Sequence, residues 1–189
     1  MVKVPIGAPA KACIVRPDRV CDHCAATARF ARTVRTMKIE GDIGIEAPRD
    51  QVFRRLSDAH FFASCIDGVQ NLVATDAARY QATFTTRIAY MRFTFKIGVE
   101  MTRLVPPHEI EARMEGTPIG VVGRLTATAY ARLREDGTRT LVRYMIDATL
   151  TGMLGSIGEP VLRAKAREME QQFSERLLAA FAPGAEAAP

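Results

Sequence analysis

At 189 residues and 48% hydrophobic side chains, the chain is long enough to fold around one sizeable core. Its formal charge of +5 is concentrated at the front: residues 1–36 hold seven of the 26 Lys and Arg but two of the 21 Asp and Glu, leaving nineteen of each in the remainder. A neutral body gives no electrostatic support for nucleic-acid binding, and no run approaches the ~20 apolar residues of a membrane-spanning helix.

Residues 1–36 are rich in Ala, Arg and Val without a sustained period, which predicts a poorly ordered basic extension. Cys13, Cys21, His23 and Cys24 are potential zinc ligands. However, no second CxxC or HxxxH follows, and His23 lies inside the CxxC. No metal and no cofactor is therefore expected. The segment lacks the apolar region of a secretory signal, so the expectation is a cytoplasmic protein.

From Met37 the pattern changes. Met37, Ile39, Ile43 and Ile45 alternate with charged residues, which predicts a half-buried strand. Pro48 opens a short helix that buries Val52, Phe53 and Leu56, and Asp58 is placed to cap a second over Ala59 to Cys65. Strands are then predicted at Val69–Ala74, Arg79–Arg87 and Met91–Leu104. The last of these alternates most cleanly, with Phe93, Phe95, Ile97, Val99 and Met101 on one face. Pro106-Pro107 ends it, because proline cannot donate to the ladder. Ile110, Ala112 and Met114 mark a further strand, Gly116 to Gly123 reads as a loop, and Leu125 to Leu133 alternate again. Asp136-Gly137 signals a hairpin into a strand presenting Val142, Tyr144, Ile146, Ala148 and Leu150 inward.

The closing stretch reads as one long amphipathic helix starting between Met153 and Glu159 and ending near Phe181. Leu162, Ala166, Met169, Phe173, Leu177 and Ala180 lie on one side; Arg163, Arg167, Gln171 and Glu175 lie on the other. Ser156 with Glu159 has capping-box spacing. Phe173, at mid-stripe, is the expected core anchor. Residues 183–189 read as a flexible tail. The expected architecture is α+β: about seven antiparallel strands covered by the terminal helix, with two short helices after the first strand. Residues 37–182 form that domain.

Five stretches, in this order and spacing, resemble the G-subunit family of carbon monoxide dehydrogenase, within the START-type, helix-grip superfamily. They are MKIEGDIGIEAPRDQVFRRLSD, FFASCIDGVQNL, GTPIGVVGRLTATAYARL, LVRYMIDATLTG and LGSIGEPVLRAKAREMEQQF. The resemblance implies a curved sheet wrapped around the helix to enclose a cavity. It also implies an accessory role to a carbon monoxide dehydrogenase-like molybdenum hydroxylase, through membrane association or electron delivery to quinone, and no catalytic residue set. Two departures stand out. Cys65-Ile66-Asp67-Gly68 replaces the usual Cys-Leu/Ile-Pro-Gly, and the longer apolar carboxy-terminal extension of some members is absent.

The residues themselves offer little chemistry. His60 and His108 have no adjacent nucleophile, Cys65 has no cationic run beside it, and Asp147, Glu109, Glu111 and Glu115 read as solvated. What remains is apolar volume. Strand and helix phase place Phe84, Met91, Phe93, Phe95, Met101, Met114, Tyr144 and Ile146 opposite Gly158, Leu162, Ala166 and Met169, with Tyr144 or Thr86 as a polar orienting group. The leading expectation is a non-enzymatic carrier that binds a quinone or lipid there, peripheral to the inner face of the cell membrane. The alternatives are a polyketide cyclase- or dehydratase-like enzyme using the same cavity, and an adaptor with a filled core.

Overall fold

The computed structural model describes residues 33–182. The Cys13, Cys21, His23 and Cys24 group, most of the predicted basic extension and the tail 183–189 lie outside the described residues. The element order is β1 (Val34–Ile45), α1 (Arg49–Ser57), α2 (Ala59–Ser64), β2 (Val69–Ala74), β3 (Arg79–Ile88), β4 (Met91–Val105), β5 (Glu109–Pro118), β6 (Gly123–Asp136), β7 (Arg139–Gly152), α3 (Met153–Ser156) and α4 (Glu159–Ala180). The strands form one antiparallel sheet in the order β1-β7-β6-β5-β4-β3-β2. This is the expected helix-grip architecture.

The two short helices carry the chain from β1 at one edge of the sheet to β2 at the other. Asp58 caps α2 as expected, accepting from the His60 amide at 2.8 Å and the Phe61 amide at 3.3 Å. The buried Thr140 hydroxyl donates to the Ala47 carbonyl at 2.7 Å, tying the end of β1 to β7. At Gly152 the backbone takes φ 65° to turn sharply from β7 into α3, where a side chain would meet the Val122 and Gly123 backbone.

Two strands run past the bounds read from the sequence. Strand β1 begins at Val34, inside the segment assigned to the extension, because the ladder with β7 continues to the Val34–Thr151 pair. Strand β5 runs on to Pro118 instead of ending before Gly116, because Gly116 and Thr117 pair with Ile97 and Lys96. The terminal helix α4 starts at Glu159, inside the expected range, and the separate short helix α3 precedes it, with Ile157 extended between them. The capping box does not form. Ser156 instead donates to the Met153 carbonyl at 2.6 Å, and Gly158 precedes α4 with no side-chain cap.

The core is divided. One buried cluster joins Ile43, Ile45, Val52, Phe53, Leu56, Ile110, Leu133, Val142 and Leu177, packing α1 and the end of α4 onto one end of the sheet. The second joins Met37, Ile88, Phe93, Phe95, Ile97, Leu150, Leu154 and Leu162, packing α3 and the start of α4 onto the other end. Gly155 lets α3 sit directly on the sheet, since a Cβ there would lie 2.9 Å from the Leu150 carbonyl.

Candidate functional site

Helix α4 is fully buried at two positions, Leu162 and Leu177. Each belongs to a different core cluster. At 1.5 Å per residue the two anchors stand about 22 Å apart. Between them Ala166, Met169, Glu170 and Phe173 are half-buried.

The sheet below this span is lined by small side chains. Ladder register places Ala112 opposite Ala129, Ala129 opposite Ile146, Ala131 opposite Tyr144, and Tyr144 opposite Gly41. All of these are half-buried although they lie on the inner face. Small side chains thus alternate with Tyr144 and Ile146 below the helix, and between its two buried leucines Ala166 packs toward the second cluster and Phe173 toward the first.

The expected lining residues are partly brought together. Phe84, Met91, Phe93, Phe95, Met114, Leu162 and Ala166 gather in or against the second cluster, while Met101 and Tyr144 pack against the first. Phe95 stacks on Phe84 with ring centroids 6.1 Å apart. Ile146 and Met169 are half-buried and belong to neither cluster. Gly158 is exposed: the extended Ile157 takes it off the helical stripe, and the nearest atom to a Cβ there would be Pro160 Cδ at 3.9 Å. The anchor of the stripe is Leu177 and not Phe173, which is half-buried and tilts against Phe62 at 5.0 Å. Thr86 is half-buried on the inner face opposite Phe93.

One polar contact crosses the span. The Tyr144 hydroxyl donates to Oε1 of Glu170. Burial, reinforced by this hydrogen bond and by the carboxylate's charge, pushes the Tyr144 phenol well above its ordinary value, so it stays protonated and a donor. Gly41 makes room for the pair: a Cβ there would press on the Tyr144 ring and lie 3.1 Å from Glu170 Oε1. The sequence reading named Tyr144 but missed Gly41 and Glu170. The signal that could have found Glu170 was phase, since Leu162, Ala166, Glu170, Phe173 and Leu177 follow one another at steps of four, four, three and four.

Other titratable side chains considered from the sequence lie away from this contact. Burial raises the Cys65 thiol, which disfavours a reactive thiolate. Glu109, read as solvated, is ion-paired with Arg132 at 2.7 Å and Arg103 at 3.3 Å, and Arg132 holds it below the usual carboxylate range. A surface cleft lined by Arg49, His108, Glu109, Arg132, Leu133, Arg134 and Glu135 has both its carboxylates ion-paired, with Arg49 3.2 Å from both His108 Nδ1 and Glu135. No cluster of three or more metal-ligating side chains occurs among the described residues.

An open antiparallel sheet gripping a carboxy-terminal helix defines the helix-grip class. Solved structures share it. A conserved protein from Geobacillus kaustophilus aligns with a TM-score of 0.71 at 21% identity, covering 77% of this chain and 95% of that one. Protein CV1439 from Chromobacterium violaceum aligns at 0.54 and 18%, covering 77% and 97%. The Zhui aromatase/cyclase from Streptomyces sp. R1128 aligns at 0.56 and 13%, covering 82% and 100%. Within this class, residues 41–181 match the CoxG family, the G-subunit family of carbon monoxide dehydrogenase, and the chain belongs to that family. No curated protein sequence matches it.

Proposed function

We propose that the protein is a non-enzymatic accessory of a carbon monoxide dehydrogenase-like molybdenum hydroxylase, and that it carries a quinone or lipid between α4 and the sheet. The observation that supports this reading is the division of the core: α4 is anchored by Leu162 and Leu177, and Gly41, Ala112, Ala129 and Ala131 face the helix between them. Native mass spectrometry of protein purified without detergent tests the proposal. A co-purified apolar molecule of stoichiometric abundance is expected; ligand-free protein that also fails to take up both an added ubiquinone analogue and its reduced quinol would refute it.

No helix among the described residues is long and apolar enough to cross a membrane. The membrane contact we propose is peripheral, at the sheet end that carries exposed Tyr90, Ile119 and Val122. Arg87, Arg92 and Arg124 flank these side chains and make no ion pair among the described residues. Apolar tips with adjacent cations suit an anionic lipid surface. Co-sedimentation with vesicles containing phosphatidylserine, lost when the three arginines become glutamine, is the expected result.

A further inference from the structure

Helix α4 carries four glutamates, three of which have partners on its own outer surface. Glu159 pairs with Arg163 at 2.8 Å, Glu168 with Lys165 at 2.8 Å, and Glu175 accepts from Gln171 at 2.9 Å. Glu170 differs. It occupies the apolar stripe between Leu162 and Leu177, and no cation among the described residues pairs with it. Its partner is a neutral phenol on the opposite wall, in the space left by Gly41. Because the phenol keeps its proton, Tyr144 fills one lone pair of Oε1 and orients the carboxylate. The second oxygen, Oε2, accepts from no described residue and is open to solvent.

A half-buried carboxylate on an otherwise apolar stripe, one oxygen held by Tyr144 and the other open to exchange water for a ligand donor, is a selective group. A ligand hydroxyl satisfies it with a charge-assisted hydrogen bond. A ligand carbonyl or ether in the same position would set lone pairs against lone pairs. We propose that Glu170, oriented by Tyr144, is the recognition group for a hydroxyl on an otherwise apolar ligand, so the site selects alcohols or phenols over matched molecules lacking a donor. This rests on the carrier reading above and narrows its ligand to hydroxyl-bearing forms, a quinol or a hydroxylated lipid in place of a quinone. Gly41 and Tyr144 are positioning residues; Glu170 is the contact.

The test compares 1-naphthol with 1-methylnaphthalene, which differ chiefly by hydroxyl for methyl, in equilibrium dialysis at pH 7 against the full chain. Wild type should prefer 1-naphthol by about tenfold, the scale of a hydrogen bond to a charged acceptor. Glu170→Met should abolish the preference while leaving 1-methylnaphthalene binding equal or tighter. Tyr144→Phe should retain the preference, because the acceptor survives. Thermal unfolding of each variant confirms folding. If Glu170→Met does not fold, Glu170→Gln replaces it, with the preference expected to fall to about threefold for a neutral acceptor. Equal binding of both probes to wild type would overturn the hydroxyl assignment and leave an apolar site standing. A preference that survives loss of the carboxylate would overturn the role of Glu170. Binding of neither probe would overturn the carrier reading and this inference with it.

Discussion

Replacing Ala129 with leucine separates an unfilled space from a packed core by the sign of its effect. Ala129 lies at mid-sheet, half-buried, flanked across the ladders by Ala112 and Ile146. The substitution adds three carbons pointing at the span of α4 between Leu162 and Leu177. If that space is open, each added carbon gains up to ~0.8 kcal/mol on leaving water, so the variant should be unchanged or stabilised by up to about 2 kcal/mol. If the space is filled, overpacking should destabilise by ~1–3 kcal/mol. Urea unfolding at constant m-value measures the difference, and equilibrium dialysis of 1-naphthol measures ligand space in the same samples. The expected pair is an unchanged or raised midpoint with binding weakened at least about tenfold. A loss above ~1 kcal/mol with unchanged binding would refute the argument that mid-sheet alanines leave room for a ligand.

Leu177 is 1% exposed, and Leu177→Ala should destabilise by ~2–5 kcal/mol in chemical denaturation. Arg167→Ala, on the outer face, should stay within ~0.5 kcal/mol; equal effects would mean the helix face is wrongly assigned. The raised Tyr144 phenol predicts a pH effect. The folded state keeps the proton while the unfolded phenol ionises near its ordinary 10.0, so the tyrosine's contribution is fully present below pH 10 and declines above it. The difference in urea midpoint between wild type and Tyr144→Phe should therefore shift against wild type from pH 9 to 11; a constant difference would contradict the assignment. A chain starting at Met37 should unfold at a lower temperature than one starting at Thr33. It loses three ladder residues of β1 and the contacts of Arg35 with the Gly155 carbonyl and Glu159, each at 3.4 Å.

Much of the fold is legible in the sequence because its signals are local. A strand's side chains alternate whatever it pairs with, so Met91 to Met101 and Val142 to Leu150 reveal their inner faces without any knowledge of their neighbours. Asp58 caps α2 through amides two and three residues away, and Asp136-Gly137 turns a hairpin with its own backbone. Helical phase likewise assigned Leu162, Leu177, Arg163 and Arg167 to their faces. Where the reading failed, a distant partner decided. Val34 to Thr36 are strand because β7 offers them a ladder, and Gly158 leaves the stripe because α3 must first turn against the sheet at Gly155. Glu170 was not singled out, since its partner lies 26 residues earlier on another element and the space it shares comes from Gly41 on a third. The sequence alone determines which side chains face inward. Only the tertiary structure decides where large ones meet to close a core at the two ends and where small ones meet between them, because volume at a contact is a sum over elements remote in the chain.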